Sequence, residues 1–240
     1  MKILVALFVY NERKYLPAFL SYYRKQGCDF VFVDNMSTDG TFQYLIKEKV
    51  SVKRLDTKDS FHLRMLQDEL TKEIAKRRPD WVVYTGADTY FVFEKTIRQT
   101  IEEAHKEGFN QIATKCLEAM NTGETFKLPF NLTFKYGYVQ RKLRYMISRY
   151  MEGFYIEADK IVIKNPNIKP ECGILINYGA CKPNREQIKK LERREKAWDM
   201  GMNKQWGIHY LEHQKKDWIW NPNNLTYFPK TEYWRYIKKL

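Results

Sequence analysis

Asp80-Trp81-Val82-Val83-Tyr84-Thr85-Gly86-Ala87-Asp88-Thr89-Tyr90-Phe91-Val92-Phe93 is the stretch whose reading decides the fold. Trp81 to Tyr84 is short, β-branched and aromatic, follows Arg77-Arg78-Pro79 and stops before Gly86, which predicts a buried strand ending in a tight turn. Ligands of open α/β sheets bind beyond the carboxyl ends of the strands, so Asp88 falls where chemistry is expected. An aspartate here could also simply cap the turn, and the surrounding pattern has to decide between the two.

Working outward, residues 2 to 9 are nearly all apolar, as in a central parallel strand covered on both faces. A helical pattern from about Lys14 to Lys25 puts Leu16, Phe19, Leu20 and Tyr23 on one face and ends at Gly27. Phe30 to Val33 is a second strand, ending in Asp34, followed by the turn Asn35-Met36-Ser37-Thr38-Asp39-Gly40-Thr41 and a short helix to Lys49. Val50 to Leu55 predicts a third strand, Phe61 to Lys76 a long helix, Glu94 to Lys106 another, and Asn110 to Cys116 a fifth strand. Strands alternating with helices on short links imply an α/β fold, a doubly wound and mostly parallel sheet with helices on both faces. The domain reading is one continuous domain, with residues 1–116 as a donor-binding half and 117–240 as an acceptor-binding half with an aromatic and basic extension.

Several nucleotide-binding signatures are missing. No GxGxxG follows the first strand and no GxxxxGK[ST] occurs, which disfavours dinucleotide oxidoreductase and P-loop ATPase readings, and the absence of GxSxG counts against an α/β-hydrolase. His209 and His213 share a helix face without HExxH, so they read as packing or surface residues rather than zinc ligands. Cys28, Cys116, Cys172 and Cys181 form no CxxC pair and read as reduced thiols, which points to a cytoplasmic setting. No apolar run reaches the roughly 20 residues that span a bilayer. Asn131 and Asn224 head N-glycosylation patterns that carry meaning only on secretion.

Lys and Arg number 42 against 29 Asp and Glu, a net charge of +13. That balance favours a polyanionic partner, whether nucleic acid, anionic glycan or membrane surface. Residues 120 to 155 interleave aromatics with cations, among them Phe126, Phe130, Phe134, Arg141, Lys142, Arg144 and Tyr145, which suits either an acceptor surface or a packing extension. Beyond them, Ile161 to Ile163 and Ile174 to Ile176 predict strands, and Asn184 to Met200 predicts a charged helix with local ion pairs. Trp206, Trp218, Trp220 and Trp234 argue that the tail is ordered.

Three elements taken together, Phe8-Val9-Tyr10-Asn11-Glu12, the Val31 to Thr41 run with its VDNxSTDGT string, and Trp81 to Phe91, resemble glycosyltransferase family 2, the inverting nucleotide-sugar enzymes of the GT-A fold. The resemblance spans roughly residues 3 to 115. It implies a nucleoside-diphosphate sugar as donor, with Tyr10, Asn11 and Glu12 bordering the nucleoside, Asp34 accepting from the base edge, and Arg64 and Gln67 among the donor contacts. Asp88 would match the last Asp of the family's DxD and hold Mn2+ or Mg2+ on the diphosphate, for which one carboxylate is chemically sufficient. Gly86 stands where the first Asp of DxD is expected, Thr89 where an acid often follows, and Asn177 where relatives often carry a His. An inverting transfer also needs a general base from the acceptor half. Glu171, in the loop before a strand, is the first candidate, and Asp159 and Glu118 are the others.

The acceptor stays open between a hydroxymethylated pyrimidine in double-stranded DNA, as in phage-type DNA modification, and a cell-surface polysaccharide or lipid-linked glycan reached by peripheral contact with anionic lipid. A non-catalytic nucleotide-sugar binding module is the reading from another class, and a nucleotidyltransferase is disfavoured because Tyr10-Asn11-Glu12-Arg13 is not a Gly-rich phosphate loop.

Overall fold

The computed structural model describes residues 1–58, 60–119, 136–140, 142–178, 226–227 and 230–237. The predicted helix at 184–200, His209, His213, the tryptophans at 206, 218 and 220, the asparagines of the two glycosylation patterns, and residues 120–135 and 141 of the aromatic-basic segment lie outside them.

The first half alternates as its periodicity implies: β1 (Ile3–Val9), α1 (Leu16–Lys25), β2 (Asp29–Asp34), α2 (Thr41–Lys47), β3 (Ser51–Arg54), α3 (Leu63–Arg77) and β4 (Trp81–Tyr84). These four strands are parallel in the order β3-β2-β1-β4. Their carboxyl ends therefore share one edge. Register sorts the side chains onto two faces: Phe32 lies beside Leu7, and Phe8 beside Val33. Phe32 and Phe30 pack against Phe19 of α1, whereas Phe8 meets Phe61 and Tyr84 on the opposite face, where α3 contacts the sheet. Burial of β1 is nearly complete, as expected for a strand covered on both sides.

Helix ends follow local chemistry. In α1 a proline sits in the first turn, where its missing N–H is not needed, and Gly27 closes the helix at φ +76°. In α3 the His62 imidazole accepts from Met65 N. The helix predicted from Glu94 begins instead at Ile97 as α4 (Ile97–Lys106), because Thr96 and Gln99 form a reciprocal capping box that fixes the start. The residues before it, Thr89 to Phe93, form a separate strand, β5.

The second half is a mixed sheet. β6 (Gln111–Ala119) is long enough to serve two neighbourhoods. Its first residues pair antiparallel with β8 (Arg144–Arg149), which continues the main sheet beside β4, and parallel with the short β11 (Ile168–Lys169). A register irregularity between Ile112 and Thr114 turns the strand. Its last residues then pair with β7 (Tyr136–Val139) and β12 (Gly173–Asn177), and β12 also pairs antiparallel with β5. A two-stranded hairpin, β9 (Tyr155–Glu157) and β10 (Lys160–Val162), rests on α3 and β8. Tyr227 and Thr226, as β13, extend β7. Among the described cysteines, Cys28, Cys116 and Cys172 are free thiols.

Candidate active site

Two groups of side chains gather at the carboxyl edge of the sheet, and they are built differently. Around β1 and β2 the side chains hold backbone. Asn11 takes a left-handed conformation at φ +54°, which Asn tolerates better than most residues, and so turns the chain across the top of β2. Asn11 N donates to Ser37 Oγ at 3.0 Å, and Asn11 Oδ1 accepts from Thr38 N at 2.8 Å. Glu12 N donates to Thr41 Oγ1 and Arg13 N to Asp39 Oδ2, each at 2.9 Å. Asp39 Oδ1 accepts from both the N–H and the hydroxyl of Thr41. The Ser-Thr-Asp-Gly-Thr string is thus a clamp that locks the two loops together, and Gly40, at φ +87°, supplies the turn into α2.

Asp34 is fully buried under this clamp. Its Oδ2 accepts from Ser37 N and Arg54 Nε, both at 3.2 Å, and the Arg54 guanidinium also lies over the Phe42 ring. The other carboxylate oxygen, Oδ1, is buried with no hydrogen-bond partner among the described residues. Tyr10, Asn11 and Glu12 border the same edge, half-buried. Arg64 stands apart on the first turn of α3, with its side chain 87% exposed and Asp68 3.8 Å away. Gln67 is buried and donates to the Ala158 carbonyl at 2.8 Å, where the Tyr84 hydroxyl also bonds, so it ties α3 to the β9–β10 hairpin.

The second group is a pair of carboxylates. Asp88 sits in the turn between β4 and β5, held through its own carbonyl by Tyr178 N at 2.9 Å, with the Thr89 hydroxyl donating to Oδ1 at 3.2 Å. Glu118 of β6, Asn177 of β12 and Thr89 of β5 are direct register partners across three strands. Glu118 therefore lies in the row next to Asp88. Burial pushes the Glu118 carboxyl above the ordinary carboxylate range, the negative charge of Asp88 pushes the same way, and the Asn177 amide, the Arg144 guanidinium and the Gln140 amide pull back. Gln140 Nε2 donates to Glu118 Oε1, and Arg144 in turn donates to Gln140 Oε1.

Gly86 has a geometric reason beside this pair. A Cβ there would stand 3.0 Å from Asp88 Oδ1 and 3.2 Å from Thr89 Oγ1, so any side chain would press on the carboxylate.

The other two base candidates lie elsewhere. Glu171 precedes β12, whose Gly173 end pairs with Phe93, whereas Asn177 pairs with Thr89. Six residues of extended chain separate Glu171 from the Asp88 edge by roughly 20 Å. It is exposed near Tyr233, and the two groups come nowhere near a shared substrate atom with Asp88. Asp159 is exposed at the tip of the β9–β10 hairpin and pairs with Arg144. It touches the edge of the site only through that arginine. Gln140 carries no signal of its own in the sequence and Arg144 only that of the aromatic-basic segment; their place beside Glu118 follows from the pairing of β6 with β7 and with β8.

No group of three or more His, Cys, Asp or Glu able to hold a metal occurs among the described residues. Asp88 nonetheless offers a carboxylate at the sheet edge, and a hard divalent cation bridging phosphates can be held by one such group. No helix among the described residues is long and apolar enough to cross a membrane.

No protein-family model and no curated protein matches this sequence. Among solved structures, the crystal structure of S. aureus TarS 1–349 in complex with UDP matches with 20% identity over 54% of this chain and 38% of that chain, at a TM-score of 0.38. A crystal structure of S. aureus TarS matches at 21% identity over 54% and 23%, TM-score 0.40, and the complex of TarS 1–349 with UDP-GlcNAc at 18% over 54% and 37%, TM-score 0.36. The match spans well under half of those chains.

Proposed function

We propose that this protein is an inverting glycosyltransferase that moves a sugar from a nucleoside-diphosphate donor to an acceptor hydroxyl. The observation that carries the reading is the adjacency of Asp88 and Glu118 at the sheet edge that also bears the clamped Tyr10-Asn11-Glu12 and Ser37 to Thr41 loops. Loops fixed by their own hydrogen bonds provide a rigid border for a nucleotide, and the carboxylates lie beside it.

In this mechanism Glu118 is the general base. Its raised pKa brings it closer to the operating pH than an ordinary carboxylate, which favours proton abstraction from a hydroxyl. The acceptor oxygen attacks the anomeric carbon as the bond to the diphosphate oxygen breaks on the opposite face, and the proton passes to Glu118. Asp88 would hold a divalent cation, Mn2+ or Mg2+, which supplies positive charge against the diphosphate. Arg54 and the clamp keep the β2 edge in place while the donor binds.

The net charge of +13 favours a polyanionic acceptor, and duplex DNA carrying a hydroxymethylated pyrimidine is the first to test. The protein is incubated with such DNA, Mn2+ and a pool of nucleotide sugars, and the DNA is digested and weighed by mass spectrometry. A gain of one sugar mass that vanishes in Asp88→Asn supports both reaction and acceptor. Release of nucleoside diphosphate without a gain on DNA moves the acceptor to glycans or lipid-linked glycans. Tight nucleotide binding with no release identifies a binding module instead.

A further inference from the structure

Among the described residues β5 pairs with β12 and with no other strand, so one of its edges lacks a strand neighbour. Backbone groups alternate between the two edges of a strand, and the Asp88 carbonyl, bonded by Tyr178 N, turns toward β12. The Thr89 carbonyl and both backbone polar groups of Phe91 therefore turn the other way, into the protein interior, where a group without a partner is costly. Helix α1 meets them with two phenols in place of a strand. The Tyr23 hydroxyl donates to the Thr89 carbonyl at 2.9 Å and accepts from Phe91 N at 3.2 Å, which uses its one proton and one of its lone pairs. The Tyr22 hydroxyl donates to the Phe91 carbonyl at 2.7 Å, and Thr85 Oγ1 adds a longer bond to the Thr89 carbonyl at 3.3 Å. The Tyr23 ring is packed independently of its hydroxyl, with its centroid 4.7 Å from that of Phe19 and 6.1 Å from that of Tyr90.

The same helix grows out of the clamped loop. Tyr15 N and Leu16 N donate to the Glu12 carbonyl, and Glu12 N is the group that bonds Thr41 Oγ1. One helix thus joins the loops above β1 and β2 to the strand that starts directly after Asp88. Thr89, held by Tyr23 through its carbonyl, gives its hydroxyl to Asp88 Oδ1. We infer that Tyr23 is a positioning residue: its hydroxyl fixes the Asp88–Thr89 turn against the loops at the head of α1, so that a nucleotide bordered by those loops presents its diphosphate to Asp88. The inference rests on the donor site proposed above. Tyr22 supports the same strand two residues farther from Asp88, so its share is smaller.

The test compares the whole wild-type chain with Tyr23→Phe, which keeps the ring and removes only the hydroxyl, and with Phe19→Leu, which loosens the same aromatic cluster without removing a hydrogen bond to β5. Calorimetry measures binding of whichever of ADP, CDP, GDP, TDP and UDP wild type holds most tightly, with and without Mn2+, and amide hydrogen exchange follows the ligand-free proteins. In Tyr23→Phe, binding without Mn2+ stays at the wild-type level, while the tightening that Mn2+ brings falls about tenfold. The Phe91 amide, having lost its acceptor, exchanges faster, and the amides of Asn11 to Arg13 keep their rates. Phe19→Leu keeps the tightening. Full tightening in Tyr23→Phe, or an equal loss of it in Phe19→Leu, would overturn the inference and leave the donor site standing. Wild type that binds no nucleotide, or binds it no more tightly with Mn2+, overturns the donor site and the positioning role that rests on it, whatever the Phe91 exchange rate shows. Should Tyr23→Phe fail to fold, Tyr22→Phe carries the same comparison with a smaller loss of tightening.

Discussion

The two halves of the carboxyl edge solve opposite problems. Around β1 and β2, Asn11, Ser37, Asp39 and Thr41 bond mainly to backbone, tying the loop after β1 to the loop after β2, and their result is a fixed loop pair. Around β4, β6 and β12, side chains bond to one another across strands, and their result is a carboxylate held near a like charge. The first arrangement stabilises; the second holds a carboxylate whose charge burial and Asp88 both disfavour, at some expense of stability. Stability and turnover should therefore respond differently to mutation in the two places.

The widest separation comes from Glu118→Gln. Removing a general base lowers turnover by about 10² to 10⁴-fold. The same substitution removes a charge that burial and Asp88 disfavour, so thermal stability should hold or rise. Turnover and melting temperature measured side by side check both halves of the statement, and a fall in stability equal to the loss of activity would erase the contrast.

Gly173→Ala probes the β5–β12 pairing that sets Asn177 beside Thr89. Its Cβ would meet the Phe93 ring at 2.2 Å and the Val92 carbonyl oxygen at 2.9 Å, on the strand that carries Asp88 to its place. Overpacking of this kind costs about 1–3 kcal/mol, readable as a lower denaturant midpoint. Asp39→Ala should behave as a clamp mutation. It strips the acceptor from Arg13 N, Thr41 N and the Thr41 hydroxyl, for a loss of about 1–2 kcal/mol and weaker donor binding, while the rate at saturating donor stays nearly constant. The smallest effect is a titration. With Asp88→Asn the Glu118 carboxyl loses the like charge beside it and titrates at lower pH than in wild type.

This contrast also explains how much of the molecule could be read from its residues. The parallel half was legible because each element announces itself locally: the apolar run of β1, the 3.6-residue spacing of Leu66, Leu70 and Ile74 in α3, and the buried Trp81 to Tyr84 before Gly86. Asp88 fell at the sheet edge for the same reason. β5 was harder, because Thr89 to Phe93 is apolar throughout and follows β4 after a four-residue turn, so no alternation separates it from its neighbour. Glu118 is one of three base candidates in the sequence, and only its pairing with Asn177, 59 positions away, sets it beside Asp88, a distance no local pattern bridges. Glu171 is a loop acid just before a strand, yet strand direction decides which end a loop occupies, and β12 runs away from it toward Asp88.

The most direct measurement is the initial rate of nucleoside-diphosphate release from a pool of nucleotide sugars with Mn2+, compared between wild type, Asp88→Asn and Glu118→Gln at matched folded concentration. The account predicts release by wild type and its near-complete loss in both variants, each still folded. Release that survives Glu118→Gln undiminished, or nucleotide binding by wild type with no release from any donor, would contradict it.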